Sequence, residues 1–370
     1  MDEQNRRELL KLPLAAGALT LAARADAQAQ ARSAGKQRET IDEFDPANIK
    51  LAHRVSIRAS DDDLLFLKQI GLRYIRAEIP IDAKLEELAP ARDRFAKAGI
   101  SIISCAHYAH RSLNIGLARP GPEREKDIET CKAVVRELGR LGVSILVLYW
   151  HPANVYTSQN VDTPRGYKAR EFSVSDFQSK QEKQLFGREY PAEEIWDGFV
   201  YWLKAVLPVA EEANVKLAMH PDDPPVLKKM NGIGRIFTNE ECYRRAEQVA
   251  GKSRHWGVRL CVGTWAEGGD QMGKSVLEMI RDYGGRGKIF DMDFRNVSST
   301  LPRFNETFPD EGYLNLYQVM KALRQVRYSG PMVPDHIPPL VGDTGVGRGG
   351  LGYCIGFMRA LLRAANEEVG

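Results

Sequence analysis

Val215–Pro225 reads VKLAMHPDDPP. A short apolar run, as expected of a buried strand, stops abruptly at a histidine, two aspartates and a set of prolines. Proline and aspartate are ordinary turn formers, so a plain loop is one reading of the cluster. The other is a strand that delivers reactive side chains at its carboxyl end, and the rest of the chain decides between them.

From about residue 50 the same unit recurs, a short apolar run followed by a longer amphipathic stretch, which is βα alternation. Candidate strands are LAHRVSIR (51–58), RYIRAEI (73–79), SIISCAH (101–107), SILVLYW (144–150), VKLAMH (215–220), GVRLCVG (257–263), IFDMDF (289–294) and PMVPDH (331–336). Between them, DDDLLFLKQIG, DIETCKAVVRELGRLG, EEIWDGFVYWLKAVLPVAEEAN and NLYQVMKALRQV have helical spacing, and several begin after a capping residue and end near Gly or Asn. Eight such units predict an α/β protein of the closed (β/α)8 barrel, or TIM barrel, type; a doubly wound open sheet is the competing arrangement. The barrel domain runs over 50–370, after a linker at 32–49. Residues 151–191 are too long for a plain connection and read as a segment inserted to cover the site.

The 370 residues are 43% hydrophobic and 27% charged, enough to bury a core, and the net charge is +3 with acidic and basic residues interspersed. Nucleic acid is therefore excluded as an expected partner. The five cysteines are widely spaced with no CxxC pair, so a disulfide framework is not indicated. Residues 1–31 have the grammar of a bacterial twin-arginine leader: Arg6-Arg7, an apolar run over Leu12–Ala23, and A-x-A sites ending at Ala27, Ala29 or Ala31. The run is too short for a permanent anchor, and no later segment is apolar over about 18 residues. The expected location is the periplasm, with no membrane association after cleavage.

A barrel carries its chemistry where the strands end. His107 closes the third strand, His151 follows the fourth, His220 closes the fifth, Cys261 and Asp293 lie late in the sixth and seventh, and Asp335 and His336 close the eighth. A lone buried Cys is commonly a small hydrophobe and a lone His a hydrogen-bonded core residue. Recurrence at successive strand ends instead suits a divalent transition metal, because imidazole, thiolate and carboxylate together favour such ions over Mg or Ca.

HPDDPP (220–225), GIGRIFTN (232–239), LCVGTW (260–265), FRNV (294–297), FNETFPDEG (304–312), VMKAL (319–323), PDHIPPLVGD (334–343) and GYCIGFMRALL (352–362) occur in the order seen in mannonate dehydratases, and NIGLARPGPEREKDIE (114–129) extends the match upstream. The chain thus resembles that family over most of 50–366. The resemblance implies a xylose-isomerase-like barrel, a divalent cofactor (Mn2+ or Fe2+), a possible homodimer, and dehydration of D-mannonate or a related sugar acid to 2-keto-3-deoxygluconate. By motif it implies metal ligands at His220, Cys261, Asp293 and Asp335, a catalytic histidine at His336 and an aromatic hydroxyl near substrate at Tyr353. Asp222, Asp223 and the prolines would orient the His220 loop, with Asp222 also a candidate substrate contact. Arg295 is a candidate to assist catalysis on a sugar-acid carboxylate, and Arg165, Lys168, Arg170 and Arg348 are candidates to bind it. A solvated surface charge is the plainer reading of these five. Two rival functions stay open: a periplasmic lyase, isomerase or epimerase acting on a keto-sugar or glycoside derivative, and an exported, non-catalytic sugar-binding barrel.

Asp293 departs from the family pattern, which has HFRN where this chain has DFRN. A carboxylate in place of an imidazole takes the ligand charge from −2 to −3. One extra charge at about 4 Å is worth on the order of 4 kcal/mol at an effective dielectric near 20, so with Asp293 as a ligand a weaker Lewis acid and a more acidic substrate proton are expected. The alternative is that Asp293 is a base, leaving three protein ligands and open positions.

The leader carries its own test. Cell fractionation should find a shortened periplasmic form of the full chain, and Arg6→Lys with Arg7→Lys should abolish it; equal cytoplasmic retention of both forms would refute export.

Overall fold

Apolar runs of strand length, separated by capped helices, leave their backbone polar groups to be satisfied by pairing with one another. In the computed structural model, which describes residues 42–80, 82–111, 120–150, 157–184, 186–343 and 347–369, eight of them form β1 (Lys50–Ser56), β2 (Tyr74–Ile79), β3 (Ser101–Arg111), β4 (Ile145–Tyr149), β5 (Lys216–Met219), β6 (Trp256–Cys261), β7 (Ile289–Phe294) and β8 (Pro331–Pro334). The leader and His151 lie outside the described residues. Pairing runs around the ring in the order β1-β8-β7-β6-β5-β4-β3-β2 and closes. The closing contact is parallel, with Lys50 opposite Pro331 and Leu51 opposite Met332, and it excludes the open sheet.

Helices follow the strands as the spacing predicts, among them Asp61–Gln69, Pro122–Arg140, Ala192–Glu212 and Leu316–Gln325. Their starts are chemical. Ser60 accepts a hydrogen bond from the Asp63 amide, Asn239 from the Cys242 amide and Asn315 from the Tyr317 and Gln318 amides, each satisfying helix donors that have no intrahelical partner. Among the described residues no helix is long and apolar enough to cross a membrane, and all five cysteines are free.

Within 151–191, residues 159–162 and 168–173 form two strands of a separate antiparallel sheet, completed by 303–307 and 296–297 from the connection after β7. The inserted segment therefore has secondary structure of its own and is pinned to a second loop at the same end of the barrel. The register sets Arg303 opposite Ser173, Phe304 opposite Phe172 and Asn305 opposite Glu171.

Helix Ala192–Glu212 is held by an aromatic cluster that also fixes the loop after β5. Phe199 is fully buried and meets Trp150, Trp196, Trp202, Phe237 and Trp256 at ring-centroid distances between 5.1 and 6.0 Å. Phe237 belongs to the segment whose amides bind Asp222, so packing in this cluster reaches the HPDD loop. Phe199→Ala should lose about 3–5 kcal/mol of stability, as expected when a buried aromatic leaves a cavity, measured by urea unfolding.

Candidate active site

Register brings the first three donors together. Cys261 is the direct partner of Asp293 across β6 and β7, and Met219, just before His220, is paired with Val258 on β6. One donor atom each from His220, Cys261 and Asp293 falls within 4.8 Å of the others, and all three residues are buried. The His220 Nδ1–H donates to the Pro221 carbonyl at 2.6 Å. This leaves Nε2 as a lone pair with no hydrogen-bond partner, 3.4 Å from Asp293 Oδ2. Burial pushes the imidazole down to about 4, so it is neutral at pH 7. The Cys261 thiol is pushed up to about 12 by burial, and the Thr264 amide points at its sulfur from 3.4 Å. An orphaned imidazole nitrogen, a sulfur and a carboxylate converging in a buried pocket fit a divalent transition metal.

Asp335 lies one residue beyond β8 and outside that trio. Its Oδ1 is 3.1 Å from Arg54 Nη2, and its Oδ2 is 3.6 Å from His336 Nε2 and 3.9 Å from Arg295 Nε. Burial opposes its ionisation, but the positive charge around it, Arg54 and Arg295 included, overcomes this and holds the carboxyl below the usual range.

Beneath the donors the barrel is filled by charge. Arg76 on β2 and Arg259 on β6 both reach Asp293 Oδ1 at 2.8 Å, Arg76 also pairs with Asp291, and all four residues are fully buried. The pairing shifts register just before each arginine, with the extra residue on the neighbouring strand: Ile103 of β3 before Ser104, and Phe290 of β7 before Asp291. Bulges of this kind re-aim the next side chain. Burial would raise the Asp293 pKa, yet Arg259 and Arg76 hold it well below the ordinary carboxylate value. The two guanidinium groups, shared with Asp291, screen the extra negative charge at Asp293 and so reduce the effect on a bound ion that the sequence leads one to expect.

Arg295 also needs correction, being almost fully buried where a solvated charge was expected. It bridges Asp223 Oδ2 at 2.8 Å and Glu267 Oε1 at 2.6 Å and donates to the Thr264 hydroxyl at 3.0 Å. Gly263 makes this possible: a Cβ there would lie 2.4 Å from Arg295 Cγ. Arg295 thus ties the loops after β5 and β6 together beneath Asp335. Asp222 is a loop anchor as well, since its Oδ2 accepts from the Ile236 and Phe237 amides at 3.1 and 3.0 Å.

Other residues singled out by the sequence stand apart from the trio. Lys168 is exposed and pairs with Asp162, and Arg348 pairs with Asp63 at 3.2 Å. Arg165 pairs with Asp310 and Glu311 and stacks over Phe308 and Tyr353. Tyr353 is part-exposed and packs on Phe308 at 5.3 Å. His107 is buried on β3, its imidazole pushed down to about 4 by burial. Arg170 does reach the site. It sits 2.9 Å from His336 Nδ1 and 2.8 Å from Glu306 Oε2.

Sequence reading missed Arg54, Arg76, Arg259, Glu267 and Glu306. Three of these carried a signal: an arginine inside an otherwise apolar strand run, as in YIRAEI and GVRLCVG, has either a buried partner or no place in a barrel. Glu306 lies inside the quoted FNETFPDEG block but on no barrel strand, so nothing local marks it.

A model of the D-mannonate dehydratase (UxuA) family matches residues 84–368. Mannonate dehydratase 2 of Halalkalibacterium halodurans is 28% identical over 262 residues, covering 64% of this chain and 73% of that protein. The crystal structure of mannonate dehydratase from Streptococcus suis superposes with a TM-score of 0.77 at 25% identity, covering 87% of this chain and 96% of that one. A xylose isomerase domain protein from Planctomyces limnophilus, at 11% identity and a TM-score of 0.54 over 85% of this chain and 96% of its own, shares the barrel fold.

The buried charges generate one prediction. Arg76→Met leaves Asp291 and Asp293 short of a counter-charge and should destabilise the chain by about 3–5 kcal/mol in urea unfolding. Adding Asp291→Leu should recover most of that loss.

Proposed function

The chain belongs to the D-mannonate dehydratase family, and we propose that it is a metal-dependent hydro-lyase that converts D-mannonate to 2-keto-3-deoxygluconate and water. The observation that carries this reading is the convergence of His220, Cys261 and Asp293 donor atoms within 4.8 Å at the strand ends of a barrel from that family. His220, Cys261 and Asp293 would hold the ion, with Asp335 completing the set from β8. The donor chemistry suits a divalent transition ion over Mg2+ or Ca2+, and Mn2+ or Fe2+ is the choice that the family resemblance supports. When bound, the ion supplies the positive centre that makes a carbon next to a carboxylate acidic enough to lose its proton.

The remaining steps belong to the protein. His336 is assigned as the base that takes the proton from C2: its Nε2 makes no hydrogen bond among the described residues and lies 3.6 Å from Asp335 Oδ2. Loss of the C3 hydroxyl requires an acid, and Tyr353, whose phenol pKa is raised by burial and by Asp310, is protonated at neutral pH and assigned that role. Water leaves with the hydroxyl oxygen and the donated proton, and the resulting enol tautomerises to the 2-keto acid. Arg54 and Arg170, each partly exposed next to Asp335 or His336, are better placed to meet the substrate carboxylate than Arg295, which is enclosed by Asp223 and Glu267. The sheet carrying Arg170 is read as the cover of the site. The twin-arginine leader supports action in the periplasm, and a homodimer is the assembly the family resemblance suggests.

Purified chain supplied with Mn2+ or Fe2+ should release a 2-keto acid from D-mannonate in a colorimetric keto-acid assay, and no release with either ion would sink the reading. Cys261→Ser should lose most of the bound metal, measured by elemental analysis, along with most of the activity. Full metal and full activity in that variant would remove Cys261 from the site.

A further inference from the structure

We propose that Glu306 is the positioning residue for His336, accepting the hydrogen bond of Nδ1–H and so holding the imidazole as the Nδ1–H tautomer with Nε2 on the side of Asp335. The catalytic consequence rests on the function proposed above; the tautomer itself does not.

The geometry begins with a backbone that needs holding. His336 has φ of 47°, in the left-handed region that a side chain with a Cβ adopts only at a cost of about 1–2 kcal/mol. Such a conformation persists where surrounding contacts dictate it, and the imidazole makes them. Its Nδ1 is 2.5 Å from Glu306 Oε1 and 2.9 Å from Arg170 Nη2. A guanidinium has only donors and a carboxylate only acceptors, so Nδ1 can satisfy one of these neighbours, not both. Arg170 already has a better use, since its Nη2 donates to Glu306 Oε1 at 2.9 Å and its Nε lies 2.8 Å from Oε2. With a proton on Nδ1, the imidazole donates to Glu306 and every group in the triad is satisfied. With a bare Nδ1, its lone pair would face a carboxylate oxygen at 2.5 Å.

The sheet makes this arrangement rigid. Glu306 lies on the 303–307 strand opposite Val297, and the register that pairs Asn305 with Glu171 brings Arg170 alongside Glu306 from the other neighbouring strand. Glu306 is almost wholly buried. Although burial opposes its ionisation, His336, Arg295 and Arg170 keep its pKa below the usual value. An ionised carboxylate on Nδ1 does two things when Nε2 accepts a proton: it keeps the ring aimed, and it stabilises the imidazolium that forms. A histidine oriented by a buried carboxylate acts this way in the acid–base arrangements of hydrolases. The inserted segment thus bears on the chemistry through Arg170, which clamps Glu306 and not the substrate alone.

Two readouts test the proposal. In 15N-histidine NMR of the full chain loaded with diamagnetic Zn2+, with His336→Gln used for assignment, His336 should show the Nδ1–H tautomer. Glu306→Leu should return it to the Nε2–H form that free imidazole side chains prefer. An Nε2–H signal in the wild type, or an unchanged Nδ1–H signal in Glu306→Leu, overturns the proposal whether or not the chain acts on mannonate. In turnover, Glu306→Gln should keep its metal and hold KM within about threefold while kcat falls about 100-fold, the scale of lost acid–base assistance. A kcat within twofold of wild type, or a loss of metal that accounts for the fall, also overturns it. Glu306→Asp, which keeps the charge with a shorter reach, should recover part of kcat. A wild type that releases no keto acid removes the proposed function and leaves the tautomer measurement to decide this proposal.

Discussion

Four charges buried in the barrel, Arg76, Arg259, Asp291 and Asp293, are the constraint on which the site depends. Removing ions from water is expensive, and they remain inside only because each guanidinium meets carboxylate oxygen. Their balance is two against two, so the layer beneath the donors is neutral. That neutrality lets a carboxylate stand at position 293 beside a thiol and an imidazole without leaving an uncompensated charge. It also fixes the carboxylate: both arginines reach Oδ1, Arg259 reaches Oδ2 as well at 2.7 Å, and that second oxygen lies 3.4 Å from His220 Nε2. Tyr149 reinforces the layer from β4, accepting a hydrogen bond from Arg259 while its ring stacks on the His220 imidazole at 4.6 Å.

The loops above the barrel repeat the same logic with different partners. Arg295 joins Asp223 and Glu267, and burial together with the nearby Asp223 raises the Glu267 pKa well above the usual value. Three loops are thereby drawn onto one guanidinium. Asp222 does the corresponding task for backbone, capping the amides of Ile236 and Phe237. The HPDD stretch is therefore one histidine followed by two aspartates engaged within the protein, Asp222 with backbone amides and Asp223 with Arg295 and the Thr264 hydroxyl.

Around this fixed base, the antiparallel sheet is the element with freedom to differ. Its strands come from the connections after β4 and β7, which a barrel tolerates because its stability resides in the strands and helices below. In this chain the sheet sets Glu306 and Arg170 on His336, coupling a barrel-end histidine to a segment outside the eightfold repeat.

Much of this was written in the linear chain. Periodic apolar runs and capped helices determine eight βα units, since an apolar face must be buried and backbone groups must be paired. Polar residues at the ends of five runs mark the reactive rim, and the quoted blocks identify the family. Closure was not determined locally, because β1 and β8 meet across some 280 residues and only their pairing distinguishes a barrel from an open sheet. Nor was the environment of Arg295 or Asp293. A sequence states that a residue is charged, whereas its counter-charge arrives from another strand: Arg76 comes to Asp293 from β2, on the far side of the ring, and Glu306 comes to His336 from a sheet outside it. Charge interactions depend on distance in space and on exclusion of water, and both exist only once the barrel has closed.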